Sequence, residues 1–247
     1  MDSMKRHILP ALLLFSATSF AQSFEKKVAA FDQIIVSPRI NLVLTQGDEE
    51  SVKINYSNVS EHKINVVVKN HRLRIYLDHA KFLEKRKRYR TDEGVVKESI
   101  YKDVVVTAYV TYKQLKKLGI RGEQEVDVRG KIEGKKFKLN AYGESNIDLS
   151  SIKVDKLKVA MYGDHTLKVS EGYAGFQKFK LFGDNKIDTQ ALQSDEVAST
   201  TYGESKLKFN AEDNIRVITV GESKVYVKGK ADIDQFSLGE VSVKKMD

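Results

Sequence analysis

The 247-residue chain contains no cysteine. Disulfides, thiolate metal sites and a lipid-modified N-terminal cysteine are therefore excluded. An oxidising compartment is not, because such a space permits disulfides without requiring them. Glycine and proline, at 15 and 2 residues, are not in excess, and 41% of residues are hydrophobic, which is a globular composition and not a disordered one. Long apolar runs are missing too. The run Ile8 to Phe15 is shorter than the ~20 residues that cross a bilayer. It follows the basic Lys5-Arg6-His7 and precedes Ser19-Phe20-Ala21, which puts small residues at the two positions a signal peptidase reads. This pattern predicts a signal peptide over 1–21, cleaved after Ala21. The mature chain is then exported without a transmembrane segment, to the periplasm, the outer surface or the medium.

Residue sets that carry chemistry are equally scarce. The histidines are His7, His62, His71, His79 and His165, and no two have metal-motif spacing. No Gly-X-Ser-X-Gly elbow, Walker loop or dinucleotide fingerprint occurs. Gly119-Ile120-Arg121-Gly122 matches the four-residue KH clamp but lies between strands. The expectation is no catalytic set, no cofactor and no metal.

Positive charge is concentrated in one place. The net charge is +8, and Lys5 and Arg6 against Asp2 account for one of these charges, leaving +7 after cleavage. Five lie in Lys85-Arg86-Lys87-Arg88-Tyr89-Arg90, without which the mature chain is nearly balanced. On an exported protein such a run suits solvent or an acidic glycan or membrane partner, and not nucleic acid. Lys85, Arg86, Lys87, Arg88 and Arg90 are thus candidate partner contacts.

The strongest pattern is a repeat. Ala141-Tyr142-Gly143-Glu144-Ser145-Asn146-Ile147-Asp148-Leu149 recurs around Gly163, Gly183, Gly203 and Gly221, with weaker copies at Gly122 and Gly239. Successive glycines are about 18 to 21 residues apart, a period that marks a solenoid. Apolar and polar residues alternate on both sides of each glycine, as half-buried strands require, and Gly followed by Asp or Glu and a small polar residue supplies the turn. This predicts an all-β, β-helix-like solenoid with ~20-residue rungs. Ile147, Leu167, Ile187, Leu207 and Val225 should form one internal ladder, and Leu149, Val169, Thr189, Phe209 and Val227 another. Tyr142, Tyr162, Phe182 and Tyr202 should stack at a corner, where packing is a simpler explanation than a sugar platform. Asp148, Lys168, Asp188 and Lys208 alternate in sign, as register-setting pairs do.

One column breaks that logic. Glu144, Asp164, Asp184, Glu204, Glu222 and Glu240 follow the glycines, and like charges in register destabilise a sheet. Lys186, Lys206 and Lys224 neutralise the later rungs, whereas the earlier ones carry Asn146 and Thr166. Glu144, Asp164 and Asp184 are therefore the second set of candidate partner contacts. Carboxylates in such a row suit a hard cation such as calcium, but the nonapeptide of calcium-binding β-rolls is absent. His165, in a column of Ser145, Asn185, Ser205 and Ser223, reads as an exposed turn residue.

Upstream, Gln33–Val36, Asn41–Leu44, Val52–Ile54, Asn65–Val68 and Leu73–Leu77 read as strands, with turns at Gly47-Asp48 and Asn70-His71. Residues 79–103 read as a charged loop with a short helix over 80–88. The chain divides into an N-terminal β region, 22–118, and a β-helix repeat region, 119–247, forming one continuous body.

Phe31-Asp32-Gln33-Ile34 to Val43-Leu44-Thr45-Gln46-Gly47, Asn70 to Ile75, Val104 to Gly122 and the glycine-turn repeats together resemble the putative auto-transporter adhesin head domain, or GIN domain, over about residues 28 to 246. The resemblance implies a right-handed β-helix-like fold, a Gram-negative source of the Bacteroides group and a role in adhesion. Two features depart from it: turns that are often Gly-Ser-Gly in the family are Gly-Glu-Ser or Gly-Asp-X here, and Tyr112-Lys113 stands where proline is frequent. The partner expected is a host or cell-surface glycan or protein. Two alternatives stay open, a β-helical polysaccharide lyase or hydrolase and a structural envelope protein. Against the enzyme, the acids are periodic, and periodic residues usually serve the repeat.

Overall fold

A computed structural model of the chain describes residues 22–91 and 94–246. The expected signal peptide lies outside the described residues. The strands are β1 (Gln22–Lys27), β2 (Gln33–Val36), β3 (Ile40–Gln46), β4 (Ser51–Ser57), β5 (Ile64–Lys69), β6 (Arg72–Leu77), β7 (Arg86–Thr91) and β8 (Gly94–Ser99). They continue with β9 (Val105–Tyr112), β10 (Lys117–Val169), β11 (Gly172–Phe182), β12 (Asn185–Asp188), β13 (Leu192–Gln193), β14 (Glu196–Asn210), β15 (Asn214–Lys228) and β16 (Asp232–Lys245). Parallel strands stack into a β-solenoid of about 5 turns.

The register follows the repeat. Phe176 of β11 lies beside Glu196 of β14, and Glu196 beside Asn214 of β15, so each glycine corner sits on the one before it. Gly203 pairs with Gly221, and Gly221 with Gly239. Both ladders are internal: Ile147, Leu167, Ile187, Leu207 and Val225, like Leu149, Val169, Thr189, Phe209 and Val227, are at most 1% exposed. Each central coil buries three runs of alternate residues. One is Leu157, Val159 and Met161 before the corner, the next His165, Leu167 and Val169 after it, and the third includes Ala174. The alternating charge column yields one ion pair among the described residues, Lys208 Nζ to Asp188 Oδ2 at 2.7 Å.

The N-terminal strands extend the same stack and then close it. β2 and β3 run parallel to the first part of β10, at Gln33–Lys117 and Leu42–Val126. Beyond them β6 and β9 are still parallel, whereas β5, β4 and β1 are antiparallel and cover that end. Asn70 and His71, with φ of 52° and 56°, form the two-residue turn between β5 and β6, as a hairpin connection with both central residues at positive φ requires.

Two expectations change. Residues 79–103 are not a loop with a short helix. β7 and β8 pair antiparallel, from Arg86–Ser99 to Thr91–Gly94, as a separate two-stranded hairpin. Alternation of side chains across the strand keeps neighbouring cations on opposite faces, which a helical turn would have crowded together. His165 is not an exposed turn residue either; it is 3% exposed. Its position two residues before Leu167 puts it on the inward face by the two-residue period of a strand.

Candidate functional site

The cationic hairpin is built by alternation. Arg86, Arg88 and Arg90 point to one side of β7, and Lys97 lies directly opposite Arg88 on β8. Lys87 and Tyr89 point to the other side, where Glu98 accepts hydrogen bonds from Tyr89 Oη at 2.7 Å and Lys102 Nζ at 3.1 Å. Among the described residues of the two strands, the one acid, Glu98, is thus on the Lys87 face. Every described residue of β7 is exposed, and none of the three arginines forms an ion pair among the described residues.

The root of the hairpin is fixed by Glu84. Its carboxylate accepts from Arg39 Nε at 3.0 Å, from the Tyr101 amide at 2.8 Å and from the Ser99 hydroxyl. Burial pushes this carboxyl up, but the hydrogen bonds from Ser99, Arg39 and Tyr101 outweigh it and hold the group below its usual range. Tyr101 Oη in turn donates to the Asp78 carbonyl at 2.8 Å. A cleft of about 830 Å³ opens beside this root, lined by Asp78, His79, Lys85, Arg86, Arg88 and Tyr101. Glu84, Arg39 and Tyr101 are invisible to sequence reasoning, because their partners lie 15 to 45 positions away.

The acidic column forms a second surface. Glu144, Asp164, Asp184, Glu204 and Glu222 line an open groove of about 590 Å³ along the glycine corners. Lys186, Lys206 and Lys224 line it too in the later coils. Asp164 Oδ1 accepts from the Asp184 amide at 3.3 Å, so backbone donors answer part of the charge. No cluster of metal-ligating side chains occurs among the described residues. The structure therefore brings together each candidate set separately. Arg39 links them at one end, reaching Glu84 at 3.0 Å and Glu123, the acid after Gly122, at 4.0 Å.

Beside the groove runs the aromatic stack. Tyr142, Tyr162, Phe182 and Tyr202 have ring centroids 5.0, 4.8 and 4.9 Å apart with planes within 6°. The spacing is the strand spacing itself. Tyr142, Tyr162 and Tyr202 are 46, 40 and 44% exposed, so the stack is a surface feature and not a buried corner. Each inner ring gives both faces to its neighbours and only its edge to solvent. A sugar stacks on a ring face, and along the column those faces are taken.

Residues 30–231 match the family model described as "Putative auto-transporter adhesin, head GIN domain". No curated protein matches the chain at a significant level. Among solved structures, a putative adhesin from Bacteroides fragilis NCTC 9343 is similar at 19% identity and TM-score 0.73, covering 93% of this chain and 98% of that one. A putative adhesin from Parabacteroides merdae ATCC 43184 has 16% identity and TM-score 0.66, covering 92% and 96%. A structure described as a putative lipid binding protein from Parabacteroides distasonis ATCC 8503 has 17% identity and TM-score 0.66 over the same shares. At these identities the likeness is one of fold.

Proposed function

Since the chain belongs to the auto-transporter adhesin head GIN domain family, we propose that it is a non-catalytic adhesive module that acts outside the inner membrane and grips an anionic cell-surface glycan through the arginine face of its hairpin. One observation carries this reading: Arg86, Arg88, Arg90 and Lys97 share one exposed face, and the hairpin's Glu98 is engaged on the other. The hairpin stands off the regular solenoid as its own small sheet, which suits a contact element held by a rigid scaffold. Arginine's planar donors fit carboxylate and sulfate oxygens in pairs. Contacts of this kind are individually weak and gain strength by repetition along a polymer. The acids of the glycine corners recur with the repeat, as structural residues do, and no catalytic role is assigned to them.

The test is a binding screen of the protein on anionic and neutral glycans, at low and high salt. Binding to anionic glycans should fall with salt, because exposed charges are screened beyond ~8 Å at physiological ionic strength. It should also fall when Lys85, Arg86, Lys87, Arg88 and Arg90 are replaced by serine. Binding that survives both changes would place the contact elsewhere, the corner around Glu144, Asp164 and Asp184 being next to examine.

A further inference from the structure

The two ends of the solenoid differ. At the N-terminal end antiparallel β1, β4 and β5 cover the stack. At the other end β16 pairs with β15 and, among the described residues, with nothing else. Its 14 residues present a row of unpaired amides and carbonyls. Ile233, Val241 and Val243, which stand in register with the fully buried Ile215, Ser223 and Val225 of the coil before, are only partly covered. Phe236 and Leu238 are 60% and 62% exposed.

A long bare edge ordinarily carries guards against pairing, and same-sign charge is the usual one. Here the charge is of both signs and divided about the corner. Asp232 and Asp234 lie on the arm before Gly239, and Lys244 and Lys245 at the far end of the arm after it, which begins with Glu240 at the corner itself. A two-fold axis through the Gly239 corner, perpendicular to the solenoid axis, lays the first arm of one copy on the second arm of another, antiparallel. That register sets Asp234 against Lys244, Phe236 against Ser242, Ser237 against Val241 and Gln235 against Val243. The pleat agrees as well, since inward positions meet inward positions and outward meet outward, which a shift of one residue would destroy. The Asp234–Lys244 contact occurs twice by symmetry.

We propose that the open C-terminal coil is a self-recognition surface, through which two copies join end to end by antiparallel pairing of their β16 edges about Gly239. The dimer would be an elongated solenoid of twice the length, carrying a cationic hairpin toward each far end. It does not depend on what the hairpin binds.

Sedimentation velocity of the protein up to about 100 µM should show a monomer–dimer equilibrium, a range that detects affinities weaker than micromolar. Asp234 is also 3.1 Å from Arg216 within the chain, whereas Lys244 has no ion pair among the described residues, so the two reversals perturb the monomer differently. Asp234→Lys and Lys244→Asp should each raise the dimer dissociation constant by at least about tenfold, and the double exchange should recover most of the loss, because like charges set opposite each other repel strongly. The chain's lack of cysteine permits a second, geometric test. Phe236→Cys/Ser242→Cys should oxidise to a covalent dimer, since directly opposed antiparallel residues fall within disulfide reach, while either single change should not. A monomer at all concentrations overturns the proposal, and so does a dimer indifferent to both reversals or a double-cysteine chain that stays uncrosslinked.

Discussion

Gly203 carries two constraints at once. Its φ is +122°, and a Cβ there would lie 2.6 Å from the carbonyl oxygen of Gly183 in the coil before. The first condition disfavours any L side chain and the second leaves no room for one, since the obstacle is backbone that cannot step aside. Gly203→Ala should therefore lower stability by about 2–4 kcal/mol, read as a lower urea midpoint. A midpoint unchanged within error would mean that the corner can relax. The Gly163 corner holds His165. Nδ1 is 2.8 Å from the Ser145 hydroxyl, while Nε2 is buried and unpartnered. Burial drives the imidazole below its ordinary 6.5, opposed by the Tyr162 backbone and the nearby Asp164 carboxylate. The unfolded chain thus takes up this proton at higher pH than the folded one, so stability falls as pH drops below 6.5. His165→Ser, which restores the residue found at 145, 205 and 223, should remove that part of the acid slope. Denaturation midpoints across pH 7 to about 5 check it, and an unaltered slope would rule His165 out as the cause. The column was visible in the sequence and its direction was available too, because Leu167 fixes the parity. The polarity of serine and asparagine at equivalent positions concealed it, although small polar groups are tolerated inside where partners are near.

At the scale of the element, the repeat strands were legible because two signals coincide in them: the 20-residue period of the glycines and the two-residue period of the side chains. Ile187 illustrates the outcome. It is 1% exposed between Leu167 and Leu207, so Ile187→Asp puts a lone charge in an apolar ladder. A loss of several kcal/mol follows; a variant that melts like the parent would show that the ladder tolerates water. The hairpin was illegible for the opposite reason. Six consecutive exposed residues of β7 give no hydrophobic alternation to read, and the pairing that makes them a strand lies across the turn in Val95, Val96 and Lys97. Its stability should come from the root. Glu84→Ala removes the acceptor for Arg39, Ser99 and the Tyr101 amide, leaves a buried donor short, and should cost about 1–3 kcal/mol. Because the Glu84 carboxyl is held low, its contribution is present above pH 4.5 and fades as pH falls through the lower folded value. The five serine replacements at Lys85–Arg90, by contrast, touch neither Glu84 nor the core and should leave the melting temperature within a degree or two of the parent, as surface changes of this kind usually do.

Over the whole molecule, the binding surface is set by what a solenoid cannot do. A stack of coils gives long regular faces, so deep clefts have to come from departures from the repeat, and the hairpin is the largest departure here. Stability in such a stack is nearly a sum of coil and neighbour terms. β11 and β14 have a coil on each side, the N-terminal coils have antiparallel strands closing them, and among the described residues β16 has a neighbour on one side only. The terminal coil lacks one neighbour term, and its apolar residues are only partly covered. Opening should then begin at β16 and move inward, with free energies rising from the frayed end toward the value for global unfolding. Native-state hydrogen exchange at low micromolar concentration checks this amide by amide. β16 should exchange fastest among the stacked strands, β15 next, and β11 and β14 slowest. Uniform protection from β11 to β16 would mean that the coils open as one unit. A gradient running the other way would mean that the antiparallel strands at the N-terminal end, despite their coverage, are the weaker closure.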